Sequence, residues 1–187
     1  AVAPSGSVYG CGRAVGEDEA QRGVHAGRLF EGRFYLEKWI AEEALGLVYG
    51  AVDRARHQRV WVRLYPYQVS TDGEVEERFE REIRVAATLQ HPHILSVLHV
   101  GKEEGFGSFV VSEACLGHSL RAMMGSWGAL SREQIAKLWP SFCEALHFSH
   151  RKGLAHGYLS PSALWWPSGR GWSEVRVGWF GVPRWIG

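Results

Sequence analysis

The chain has 187 residues, 45% of them hydrophobic, with 21 Lys and Arg well mixed among 20 Asp and Glu for a formal charge of +1. That length suffices for one good core, or one core and an incomplete second. The charge balance argues against a nucleic-acid or polybasic membrane surface, and no apolar run approaches the roughly 18 residues of a membrane span.

Residues 1–32 are rich in Gly and Ala, carry the acidic run Glu17-Asp18-Glu19, and lack the basic-then-apolar pattern of a leader. They read as an N-terminal extension, flexible or held by a partner. From Arg33 the pattern changes to short strands. Phe34 to Ile40 and Leu47 to Val52 flank a turn containing Gly46, and Val60 to Tyr65 is a third strand. Val75, Phe79, Ile83 and Ala86 then recur at helical spacing up to Leu89. Ile94 to Val100 and Ser108 to Ser112 are two more strands, joined through Glu103-Glu104-Gly105.

The second half is helical. Ser131 and Gln134 form a capping box at the start of a helix running to about His150, with Ile135, Leu138, Trp139, Phe142 and Leu146 as its expected apolar face. Pro140 lies inside it, a residue that can kink a helix. The segment Gly153 to Ser162 is a loop, followed by short strand-like pieces around Leu164 and Val175 to Val177.

Cys11, Cys115 and Cys143 are scattered with no CxxC pair, which opposes a disulfide framework and a zinc site. His147, His150 and His156 invite a metal reading, but no carboxylate or Cys joins them at ligand spacing, so no metal is expected. A reducing, cytoplasmic setting follows.

The order of these elements resembles the serine/threonine protein kinase family of the bacterial type, from about Arg33 to Gly187. Ala41 to Gly46 corresponds to the family's Gly-rich phosphate loop, Val60-Trp61-Val62-Arg63 to its strand Lys motif, and Glu82 to the helix Glu that pairs with that Lys. His91-Pro92-His93-Ile94 is similar to a turn after the inserted helix. Phe109 to Ala114 is similar to the last small-lobe strand and hinge, with Ser112 at the gatekeeper position. His156 to Leu164 stands for the catalytic loop and Trp179-Phe180-Gly181 for Asp-Phe-Gly.

The resemblance implies an α+β, protein-kinase-like fold: a five-stranded small lobe with one inserted helix over residues 33–115, and a partial, mainly helical large lobe over 116–187. It also shows where the pattern is broken. Ala41 and Glu43 replace phosphate-loop glycines, leaving Gly46. Arg63 replaces the Lys, Tyr158 the catalytic Asp, Ala163 the metal-binding Asn and Trp179 the metal-binding Asp. A phenol is a poor general base near neutral pH, and neither Ala nor Trp offers an oxygen to Mg²⁺. Arg63 retains the charge to hold Glu82 in a structural pair. The family's small residue at position 61 lies over adenine, so Trp61 either fills the nucleotide space or is a strand residue finding a core.

These departures imply a pseudokinase that is no enzyme and needs no cofactor. It would act as a protein-binding structural subunit or scaffold of a larger complex, with a nucleotide-binding regulator without phosphotransfer as the alternative. An active kinase would need another carboxylate, and the loop from His156 to Leu164 has none. The chain ends before an activation segment, which leaves apolar surface to be covered; Trp165, Trp166, Trp172 and Trp185 are the candidate interface residues.

Overall fold

Alternating β-branched and aromatic residues build the first half around one sheet. The computed structural model describes residues 25–43, 46–65 and 73–181, with the backbone alone at Glu42 and Glu43. Strands β1 (Leu29–Phe30), β2 (Phe34–Glu43), β3 (Gly46–Asp53), β4 (Gln58–Leu64), β5 (Val97–Glu103) and β6 (Gly107–Glu113) form an antiparallel sheet of order β1-β2-β3-β4-β6-β5. One face buries Phe30, Phe34, Leu36, Tyr49, Val62, Phe109 and neighbouring apolar side chains. The sheet curls until its edge strands meet: the Glu31 N–H donates to the Glu103 carboxylate at 2.8 Å, and His99 Nε2 lies 2.7 Å from the Glu31 carboxylate.

The strand β1 corrects two expectations. Residues 25–32 were assigned to the extension, yet Leu29 and Phe30 pair with Tyr35 and Phe34, and the His25 ring packs on Phe106. The sheet therefore has six strands where five were expected. A strand of two residues is too short to show alternation, and its stability comes from the burial of Phe30.

Helix α1 (Gly73–Ala86) buries Phe79, Ile83 and Ala86, one stripe at helical spacing. It lies at the junction of both halves of the chain. Its core neighbours include Tyr65 and Val110 from the sheet side, and Ala145, Leu154, Val177 and Phe180 from the helical side.

A second antiparallel sheet joins β7 (Gly117–Ser119), β8 (Leu164–Pro167) and β9 (Arg176–Val177) in that order. A Cβ at Gly117 would collide with the Trp166 carbonyl, so this close approach requires glycine. Helix α2 (Leu120–Trp127) starts at Ser119, whose hydroxyl accepts from the Ala122 N–H at 3.2 Å. Helix α3 (Arg132–Arg151) starts with the expected capping box, Ser131 N–H to Gln134 at 2.7 Å and Gln134 N–H to Ser131 at 3.2 Å. It is assigned as one helix through Pro140.

The buried face of α3 keeps the expected Leu138, with Phe142 and Leu146 packed on the core, but turns away from Ile135 and Trp139. Leu138, Ser141, Ala145 and Ser149 face inward, while Ile135 and Trp139 are exposed. Small side chains let the helix approach closely, and Ser141 donates to the Ser173 carbonyl at 2.7 Å. Among the described residues no helix is long and apolar enough to cross a membrane.

Candidate functional site

The period of two along β4 places Trp61 and Arg63 on one face of the sheet, opposite in direction to Val60, Val62 and Leu64. Trp61 is 1% exposed and pairs in register with Gly50 on one side and Ser112 on the other. Its indole lies 4.4 Å from that of Trp165, tilted by 56°, and 5.7 Å from that of Trp179, nearly parallel at 25°. Ile40, Val48, Leu95 and Cys115 complete the cluster, with Ala41 and Ala114 packed against it. Burial in this cluster pushes the Cys115 thiol up to about 11, which removes it as a nucleophile.

The Arg63 guanidinium is buried and stands 4.1 Å above the Trp179 ring, a cation–π arrangement strengthened by exclusion of water. It also hydrogen-bonds Tyr65; burial raises that phenol's pKa, and the Arg63 charge opposes the rise. Trp179 itself adopts φ 68°, a left-handed conformation that costs a bulky residue about 1–2 kcal/mol. The surrounding contacts hold it there.

Behind this cluster His156 is buried, its Nε2–H donating to the Gly178 carbonyl at 2.8 Å and its ring 4.6 Å from Phe180. Burial lowers its pKa to about 4 against the opposing Gly178 bond, so the imidazole is neutral at physiological pH. Gly181 follows at φ 76°, where an added Cβ would come within 3.0 Å of Ala86 Cβ and the Glu82 carbonyl. The Phe180-Gly181 step thus docks directly on α1. Arg176 ties the two sheets: its Nη2 donates to the Ile94 carbonyl at 2.8 Å and to the Glu113 carboxylate at 2.5 Å.

Of the residues singled out from sequence, Trp61, Arg63 and Trp179 come together, and Trp165 joins them. The expected Arg63–Glu82 pair is corrected: among the described residues the Glu82 carboxylate is bonded to Arg78 one turn away, at 3.3 Å, and Arg63 faces Trp179 instead. Gly46 has φ 130°, and a Cβ there would collide with the Leu64 carbonyl, so its role is close strand packing. Tyr158 is exposed, whereas Ala163 is buried with Met123, Leu138 and Trp166.

Trp165 and Trp166, expected at an interface, are core residues. Trp172 is half-buried against Trp166, whose Nε1–H donates to the Trp172 carbonyl at 3.1 Å. Trp185 and the Glu43 side chain lie outside the described residues. Among the described residues the tryptophans most open to solvent are Trp127, 65% exposed, and Trp139, 55% exposed. No group of His, Cys, Asp and Glu among the described residues could hold a metal ion.

A sheet joined through an inserted helix to a helical half, with Phe180 and Gly181 packed on that helix, defines a protein-kinase-like fold. Residues 36–183 match the protein kinase domain family, and the chain belongs to it. The Mycobacterium tuberculosis serine/threonine-protein kinase PknA is 32% identical over 163 residues, covering 84% of this chain and 37% of PknA. A probable serine/threonine-protein kinase, pknA2 of Bifidobacterium longum, is 30% identical over 140 residues, which are 73% of this chain and 18% of that protein. The crystal structure of the M. tuberculosis PknI kinase domain superposes with a TM-score of 0.71 at 26% identity, covering 84% of this chain and 62% of that domain. This chain therefore spans under two thirds of the relatives it matches.

These relatives correct one expectation. The chain was expected to be no enzyme, yet the family match and the relatives named as serine/threonine-protein kinases point to an enzyme.

Proposed function

We propose that this kinase-family domain acts by binding protein, as a structural subunit of a larger complex, and that its own indoles close its cleft to nucleotide in the state described. The observation that carries this reading is the packing of Trp61 against both Trp165 and Trp179. A nucleotide base needs a slot between apolar faces, and here an indole already lies on those faces. The Arg63 charge, which in the resemblance would meet phosphate, is directed at the Trp179 ring. Exposed Trp127 and Trp139 support the protein-binding half, because large aromatics at the surface are typical anchors of interfaces.

Thermal denaturation with ATP, in the presence and absence of Mg²⁺, tests closure of the cleft. A ligand at about 100 times its Kd adds about 3 kcal/mol and moves the midpoint by several degrees. The expected result is an unchanged midpoint in millimolar nucleotide. A clear rise would defeat the closed-cleft reading. Cross-linking in the native source tests the protein-binding half. A recurrent cross-link to a defined protein is expected, and a species that migrates as a free monomer in a fresh lysate would overturn it.

A further inference from the structure

The β3–β4 hairpin is built to display positive charge. Its turn reads Asp53-Arg54-Ala55-Arg56-His57-Gln58-Arg59, and every side chain after Asp53 is exposed. Asp53, the single acid of the turn, is consumed internally. Its carboxylate accepts from Arg33 Nε at 2.9 Å and Nη2 at 2.7 Å, and from the N–H groups of Ala55 at 3.0 Å and Arg56 at 3.3 Å. The Arg33 bond holds that carboxyl down to about 2. With Asp53 neutralised and the turn fixed by it, Arg54, Arg56 and Arg59 are presented on a rigid tip.

The register continues this surface into a depression. Lys38 is opposite Gly50, Gly50 is opposite Trp61, and Val52 is opposite Arg59, so Lys38, Arg59 and Trp61 share one face of the sheet. Gly50 has no side chain to fill the space between them; an added Cβ would come 3.3 Å from Ile40 Cδ1 and 3.7 Å from Lys38 Cγ. The resulting depression of ≈ 180 Å³ has Val60, Trp61 and Leu116 on its walls and Glu37, Lys38 and Arg59 around them. Leu116 is 47% exposed.

We propose that this surface binds an extended acidic segment of a protein partner. One apolar side chain of that segment enters the depression, and its carboxylates pair with Arg54, Arg56 and Arg59. Leu116, exposed at the rim, gives a peptide side chain something to bury, which a phosphate backbone does not offer. Glu37 accepts a backbone N–H of an extended peptide and would repel a phosphate. Bidentate Arg–carboxylate bonding supplies orientation. This rests on the protein-binding reading above.

The test is fluorescence polarisation with a labelled peptide of about ten Asp and Glu residues carrying one central Leu. Binding is expected at low ionic strength and should fade as salt rises. The triple reversal R54E/R56E/R59E should weaken it by at least about tenfold, with an unchanged thermal midpoint because all three side chains are exposed. Gly50→Leu should weaken the Leu-bearing peptide and leave a Leu→Gly peptide, already weaker, unaffected. Absence of binding at low salt would overturn the proposal. So would equal binding by the triple variant, or a single-stranded oligonucleotide of matched charge that displaces the peptide. None of these results touches the nucleotide and cross-linking measurements, so the surface can fail while the protein-binding reading stands.

Discussion

Gly169 and Gly181 have nearly the same backbone angle, φ 75° and 76°, yet the space around them differs completely. Nothing lies within 4 Å of a Cβ added at Gly169, while at Gly181 it would press on Ala86 and the Glu82 carbonyl at 3.0 Å. Gly169→Ala should cost only the left-handed penalty, about 1–2 kcal/mol. Gly181→Ala adds overpacking against α1 and should cost about 3 kcal/mol. Urea unfolding of both variants measures the difference; equal losses would mean that the Phe180-Gly181 step is not anchored on the helix. His156 gives a second residue-scale expectation. Its folded pKa, about 4, lies below the ordinary 6.5, so the unfolded chain binds more protons between those values. Its contribution to stability is complete above pH 6.5 and is lost as pH falls towards 4, at most about 3 kcal/mol. His156→Gln, which can still donate to the Gly178 carbonyl, should flatten the fall in stability between those pH values. Some slope should remain, because burial lowers His25 and His91 in the same direction.

At the scale of elements, what the sequence reveals depends on whether the signal is local. Val60 to Tyr65 is recognisable as a strand because β-branched and aromatic residues make up four of its six positions, and the Ser131–Gln134 box marks the start of α3 at the observed residue. The strand β1 and the pairing of β7 with β8 are not legible, since each is three residues or fewer and depends on a distant partner. The apolar face of α3 was displaced for a related reason. Trp139 and Ile135 weigh heavily in any hydrophobic stripe, but the helix packs through Ser141, Ala145 and Ser149, where small size matters more than apolarity. Adjacent substitutions on that helix separate the two faces. Leu138→Ala should cost about 2–5 kcal/mol. Trp139→Ala should stay within about 0.5 kcal/mol. Ser131→Ala should cost about 1 kcal/mol through loss of the cap. Denaturant midpoints at constant slope would register all three.

For the whole molecule, the order of motifs identified the family, while the content of the cleft required the fold. Trp61, Arg63 and Trp179 can be singled out from their motif positions. That Trp165 stacks beside them depends on the β7-β8-β9 sheet, which no local pattern discloses. The consequence is mechanical. The indole cluster draws Trp61 from the large sheet and Trp165 and Trp179 from the helical half, and the α1 core likewise mixes Tyr65 with Leu154 and Phe180. The two halves should therefore unfold together, and tryptophan fluorescence and far-ultraviolet circular dichroism should give one coincident thermal transition. Trp61→Ala removes the member that both other indoles touch, leaving a cavity where large-to-small changes of this kind cost about 3–5 kcal/mol. In that variant the fluorescence transition should precede the loss of helix, because the sheet half loses its grip on the β8–β9 segment before α3 melts. Coincident transitions that simply move to lower temperature would instead mean that the α1 core alone couples the halves, with the indoles filling space and joining nothing.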